Sequence, residues 1–182
     1  MREHITFGFV GIGLIGGSVA KALRRVYPSC KIIVYNRSAE PRVMAINDGT
    51  ANVAVPQVDK TFNECDYIFL CTPVEKNVEY LKILKDIIKD DCIITDVGSV
   101  KGNIHKAVEE LGLKKNFIGG HPMAGSEKTS YTYANDRLVE NAYYAITPTD
   151  AVSKERVEEF TEIVQGIGAI PINISYEEHD KV

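Results

Sequence analysis

This 182-residue sequence predicts a doubly wound α/β fold with a mostly parallel sheet, on the strength of two observations. Short, almost continuously apolar runs recur along the chain, and between them lie longer stretches whose apolar residues repeat at the helical period. Strands covered by helices on both faces lose the polar alternation of half-exposed strands. Alternation of strand and helix then builds a parallel sheet through right-handed crossovers.

The elements follow in order. The run Ile5–Val10 precedes a helical stretch that puts Val19, Leu23 and Val26 on one face. Lys31–Asn36 is the second strand, and Tyr67–Cys71 is the next, followed by a helix face of Val78, Leu81, Leu84 and Ile88. Cys92–Asp96 precedes a face made of Ile104, Val108 and Leu111. Phe117–Gly119 and Tyr143–Thr147 are further strands, then Val157, Phe160, Val164 and Ile167 share a helix face before the strand Ala169–Asn173. Ser175–Val182 reads as the start of a helix, with Ser175 as its cap and Glu177 and Glu178 in its first turn. A helix starting there has nothing left to pack against, so the reading is one domain over 1–174 and the entry to a missing one over 175–182.

Composition narrows the function classes. Apolar content of 45% and charged content of 25% are those of a globular domain. The net charge of −4 offers no electrostatic footprint for nucleic acid or an anionic membrane. No apolar run reaches the roughly 18 residues of a membrane span. Met1-Arg2-Glu3-His4 lacks the apolar core of a signal peptide, so the expected compartment is the cytoplasm. Cys30, Cys65, Cys71 and Cys92 show no CxxC spacing and read as reduced core residues rather than metal ligands.

The first strand runs into Gly11-Ile12-Gly13-Leu14-Ile15-Gly16, then Gly17-Ser18 and the first helix. Gly11 permits a tight turn, Gly13 lets the backbone approach a pyrophosphate, and Gly16 lets helix and strand pack closely. The helix start offers free N–H groups and a positive dipole end to phosphates. Such a motif between a strand and a helix near the N-terminus points to a Rossmann-type dinucleotide-binding domain. At the end of the second strand, 20 positions past Gly16, stands Asn36 where an acidic residue would bind the adenosine ribose of NAD. With Arg37 and Ser38 beside it able to hold a phosphate, the cofactor reading is NAD(P), leaning to NADP or dual use.

Ligands of open α/β sheets gather at the carboxyl ends of the strands. Three polar clusters lie there: Thr72-Pro73, Asp96 to Lys101, and Gly119 to Glu127. Each has a plain alternative. Ser99 is placed to cap a helix from Val100 onward. Glycines 119, 120 and 125 could shape a turn. A single histidine is more often structural. Convergence of hydroxyls, a cation and an imidazole on one rim favours chemistry. His4, His105 and His179 read as lying at a terminus, on a helix surface and at the tail, which leaves His121 with the active-site address.

At these residues the chain resembles the prephenate/arogenate dehydrogenase family over essentially its whole length. The segments that carry the likeness are Cys71-Thr72-Pro73-Val74, Thr95-Asp96-Val97-Gly98-Ser99-Val100-Lys101, and Gly119-Gly120-His121-Pro122-Met123-Ala124-Gly125-Ser126-Glu127. Thr147-Pro148-Thr149 and Glu178-His179-Asp180 also fit. The resemblance implies oxidative decarboxylation of prephenate in tyrosine biosynthesis, with hydride passing to the nicotinamide and no metal. It implies His121 as general base and Ser99 as the residue orienting the hydroxyl or the imidazole. Lys101, Ser126 and Glu127 would contact substrate, with Glu127 gating entry or pairing with Lys128. Thr72 and Pro73 would border the nicotinamide and its ribose. It further implies a C-terminal helical domain, outside this sequence, that completes the pocket and makes a homodimer. Prephenate and arogenate are not told apart. A β-hydroxyacid-type dehydrogenase and a non-catalytic NAD(P)-sensing module are the rival readings.

Overall fold

The computed structural model describes residues 4–181, so the reading of Met1-Arg2-Glu3 and the last residue of the 175–182 segment lie outside the described residues. Strand β1 (Thr6–Val10) is central, flanked by β2 (Lys31–Tyr35) and β4 (Tyr67–Leu70). β3 (Val53–Val55) pairs with β2, and β5 (Ile93–Asp96) with β4, all parallel, giving the order β3-β2-β1-β4-β5. A parallel bridge between Ile94 and Phe117 leads into a second sheet of β6 (Ile118–Pro122), β7 (Tyr143–Pro148) and β8 (Ile170–Asn173). β7 is antiparallel to β6 and parallel to β8. The expected mostly parallel, doubly wound architecture is therefore present, with its parallel run reversed at β7.

Helices α1 (Leu14–Val26) and α5 (Lys154–Gly166) cover one face, where Phe7, Phe9, Val19, Leu23, Phe69 and Phe160 form one core. α3 (Val74–Leu84) and α4 (Gly102–Glu110) cover the other, over Val10, Ile33, Ile68, Leu70, Leu81, Ile104 and Phe117. The split follows from the two-residue period of a strand: Phe9 and Val10 are neighbours in β1 and enter different cores. The rings of Phe9 and Phe69 stack with centroids 4.8 Å apart across the paired β1 and β4.

Two elements have little sequence signal. α2 (Ala39–Asn47) buries only Ala45 fully, so no apolar stripe marks it, and β3 is three residues on the sheet edge. The short α6 (Tyr176–Asp180) is capped by Ser175, whose Oγ accepts from Glu178 N at 3.1 Å, as its sequence suggests. The expectation that it has nothing to pack against is wrong. His179 is buried, and the ring of Tyr176 stacks on His105 of α4 with centroids 4.3 Å apart. No helix among the described residues is long and apolar enough to cross a membrane.

Close packing of α1 on the sheet depends on Gly16, where an added Cβ would lie 2.5 Å from the Gly11 carbonyl oxygen and 3.0 Å from Cys71 Cβ. At Gly125 an added Cβ meets nothing within 4 Å. Gly16→Ala is expected to lower stability by about 1–3 kcal/mol, the usual cost of overpacking. Gly125→Ala is expected to stay within about 0.5 kcal/mol. Urea unfolding of the two variants measures the difference.

Candidate active site

The glycine turn is held from two sides. Gly11 adopts φ +95°, a left-handed conformation that favours glycine, and its N–H donates to the Tyr35 carbonyl at 2.8 Å. Ile12 N donates to Asn36 Oδ1 at 3.1 Å, so the residue expected to read the ribose also clamps the turn. Arg37 and Ser38, just beyond, are exposed. α1 begins at Gly13 with no side-chain cap and no acidic residue in its first turn, which leaves its N–H groups and positive dipole end to a ligand or to the backbone. One of them, Leu14 N, donates to the Thr129 carbonyl at 2.9 Å, because the loop after β6 folds over the turn.

That loop and the turn enclose a cleft of about 300 Å³. Gly13 to Gly16 form its floor, Cys71 and Val97 come from the ends of β4 and β5, and Ala124, Gly125, Ser126, Lys128 and Thr129 of the loop cover it. A glycine-lined cleft at an uncapped helix start fits the phosphates of a dinucleotide. Thr72 sits beside it with its hydroxyl and N–H both bonded to the buried Asn77 Oδ1 of α3, and Pro73 opens that helix. Ser126 and Glu127 are exposed on the covering loop. Ser126 Oγ accepts from Lys128 N at 3.1 Å. The Lys128 ammonium lies 4.5 Å from the Tyr133 ring centroid, not on Glu127 as expected.

The rim at β5 is organised by a buried ion pair. Asp96 Oδ2 accepts from Lys101 Nζ and from Gly98 N, and Oδ1 accepts from Gly120 N at 3.1 Å. Lys101 is 0% exposed. The structure therefore places Lys101 inside the domain as the partner of Asp96, and corrects its expected place on the substrate. Ser99 is exposed and does not cap α4. Asp180 does so instead, Oδ1 accepting from Lys101 N at 2.9 Å and Oδ2 from Gly102 N at 2.8 Å. Gly119 and Gly120 lie within β6 and shape no turn: an added Cβ at Gly119 would collide with Thr147 Oγ1, and at Gly120 would meet the Asp96 carbonyl at 2.8 Å.

His121, in β6, is half-buried. Its Nδ1 lies 2.9 Å from His179 Nε2, and His179 Nδ1 lies 2.9 Å from Asp180 Oδ1. His179, not Ser99, is the imidazole's partner among the described residues. His105 is also buried, 3.0 Å from Thr147 Oγ1. The placements of His105 on a helix surface and of His179 at a free tail are thus both overturned. Burial, then the neighbouring His179 and the Lys101 charge, pushes the His121 pKa down to about 4. Burial followed by Lys101 does the same to His105, also to about 4. Burial raises the Asp180 carboxyl, but the bonds from His179, Lys101 N and Gly102 N outweigh it and hold the group below its ordinary value. His179, Asp180 and Asp96 are named by the sequence only within motifs, and their contacts are what sequence reasoning missed. The adjacent Glu178-His179-Asp180 was visible, but its fold-back over α4 was not.

The parallel sheet, the glycine turn and the cleft at the strand ends define a Rossmann-type nucleotide-binding domain. The chain belongs to the prephenate dehydrogenase family, whose nucleotide-binding-domain model matches residues 19–173, a span that begins beyond the glycine turn. It is 35% identical to a prephenate dehydrogenase of Bacillus subtilis over 97% of this chain and 48% of that protein. Its fold matches a crystal structure of prephenate dehydrogenase from A. aeolicus in complex with hydroxyphenyl propionate and NAD+, with a TM-score of 0.90 and 34% identity. It matches Synechocystis arogenate dehydrogenase equally well, with a TM-score of 0.90 and 30% identity. Each of these two likenesses covers 97% of this chain and 62% of the other. The chain thus spans about half the length of the curated relatives it matches.

The two depressed histidines set a pH dependence of stability. An unfolded chain binds protons at both imidazoles from about pH 6.5 downward, whereas the folded chain resists until about pH 4. The unfolded state then holds more protons, so stability is lost as pH falls through this window. The thermal midpoint is expected to fall between pH 7 and pH 4, and less steeply in His105→Gln. An equal fall in that variant would show that His105 is not a source of the effect.

Proposed function

We propose that this chain is the cofactor-binding and acid–base half of a prephenate dehydrogenase, with His121 as the general base. The reading is carried by one observation: a half-buried imidazole, held neutral by its surroundings, stands at the end of β6, just before the loop that covers the glycine-lined cleft. The bound nicotinamide would supply the acceptor for the hydride leaving the ring carbinol carbon. His121 takes the carbinol proton as the C–O bond gains carbonyl character. The ring carboxylate leaves as CO2, and the electron pair of the broken C–C bond closes the aromatic ring. The loop over 123–130 excludes water, and Ser99, Ser126 and Glu127 are assigned to the substrate hydroxyl and the pocket mouth. Thr72 and Pro73 are assigned to the nicotinamide side.

Asn36 carries no charge to repel a 2′-phosphate, and Arg37 and Ser38 are exposed beside it, so use of NADP as well as NAD is part of the proposal. The crystal structure of the A. aeolicus relative is a complex with NAD+, which supports NAD. Cytoplasmic location, a further domain after residues 175–182 and a homodimer made through it complete the reading; the partial coverage of the relatives supports the further domain. Arogenate is the second reading for substrate, favoured by the likeness to the Synechocystis enzyme.

Reduction of NAD and of NADP by a protein that joins this chain to the further domain completing its pocket, followed by absorbance with prephenate and then arogenate, tests the proposal. Turnover is expected with both cofactors, and His121→Ala is expected to lower it by about 10²–10⁴-fold, the usual contribution of a positioned base, with cofactor affinity unchanged. The free base predominates above its pKa of about 4, so the acid limb of kcat/KM should be centred near there. Full turnover in His121→Ala would overturn the assignment.

A further inference from the structure

The chain from Asp180 to His121 links three elements distant in sequence. Asp180 belongs to the end of α6, is tied by both carboxylate oxygens to the first N–H groups of α4, and touches His179 Nδ1 at 2.9 Å. His179 is buried and meets His121 Nδ1 through its Nε2, also at 2.9 Å. The two imidazoles cross at 76°, an edge-on arrangement suited to one N–H···N bond.

We propose that His179 and Asp180 are positioning residues that hold His121 as its Nδ1–H tautomer, leaving Nε2 as the proton-accepting atom. The donor pattern follows by elimination. A carboxylate only accepts, so His179 Nδ1 must carry the hydrogen that faces Asp180. A neutral His179 then has a lone pair on Nε2, which can only accept from His121 Nδ1–H. The remaining nitrogen of His121, Nε2, is unprotonated and has no partner among the described residues. When that nitrogen takes a proton, His121 becomes a cation whose Nδ1–H bond to His179 strengthens, with the negative charge of Asp180 at the far end of the relay. The same Asp180 caps α4, so the orientation of the base is tied to the segment that follows β5. The inference rests on the reading of His121 as the base, but its first claim concerns the tautomer and stands apart from turnover.

The test is ¹⁵N NMR of histidine-labelled protein at neutral pH. His121 is expected to show a protonated Nδ1 and an unprotonated Nε2. In His179→Phe, which offers no acceptor, the two resonances should move toward a common, tautomer-averaged position. In His179→Gln, whose Oε1 can take the place of Nε2 as acceptor, the wild-type pattern should return. The thermal midpoint of each variant shows that it is folded. Should His179→Phe fail to fold, the wild-type and His179→Gln spectra still decide. An Nε2–H tautomer at His121, or a doubly protonated His179 that reverses the bond, would overturn the proposal. An unchanged tautomer in a folded His179→Phe would do the same. No prephenate oxidation by the chain joined to its further domain, with the expected tautomer, would remove the dehydrogenase reading and leave the relay in place. Intact oxidation with the wrong tautomer would remove the relay alone.

Discussion

The buried pair of Asp96 and Lys101 is the constraint on which the candidate site depends. A carboxylate and an ammonium withdrawn from water each cost several kcal/mol, and their attraction offsets that only when the remaining hydrogen-bond capacity is filled. Here Asp96 also accepts from Gly98 N and Gly120 N, so one side chain ties together the end of β5, the loop after it and strand β6. His121 follows Gly120 directly, and Asp180 bonds the backbone N–H of Lys101 itself. The position of His121 is thereby set from both sides by one charged centre. The fixed positive charge of Lys101 also disfavours a second cation nearby, which contributes to the low pKa of His121 and His105. Lys101, expected to meet substrate, is instead held by Asp96 and sets up the electrostatics around His121.

The glycine positions supply the other half of the geometry. Gly16 brings α1 against the Gly11 turn, and Gly119 and Gly120 bring β6 against Thr147 and Asp96. An added side chain would push against a neighbouring backbone at Gly16 and Gly120, and against the Thr147 and His105 side chains at Gly119. The result is that the start of α1, the ends of β4 and β5 and the loop after β6 share one cleft. The Leu14 N–H group that faces a phosphate in such domains is bonded to the Thr129 carbonyl, so a dinucleotide would exchange that bond for its own.

Much of this was legible in the sequence because it is local. Continuous apolar runs gave the central strands, the helical period gave α1, α3, α4 and α5, and the glycine spacing between strand and helix gave the cofactor turn. α2 and β3 escaped because one buries a single residue fully and the other is three residues at an edge. The reversal at β7 escaped because a strand covered on both faces looks the same whichever way it runs. In the site, His121 was singled out as the histidine at the strand ends, where the structure places it, but its partner was not. Contacts across 58 positions, from His121 to His179, and across 79, from Lys101 to Asp180, leave no periodic trace in a single sequence. Ser99 looked like a cap for α4 because caps are usually local, and here a carboxylate from the distant tail took the role.

A crystal structure of this chain with NAD bound would test most directly whether the glycine turn and the histidine rim serve one reaction space. The expected result is a pyrophosphate on the N–H groups that open α1, the Leu14–Thr129 bond broken, and the nicotinamide in the cleft beside Cys71 and Val97, turned toward His121. A dinucleotide bound with the Leu14–Thr129 bond intact, or with its nicotinamide turned away from β6, would contradict a shared reaction space.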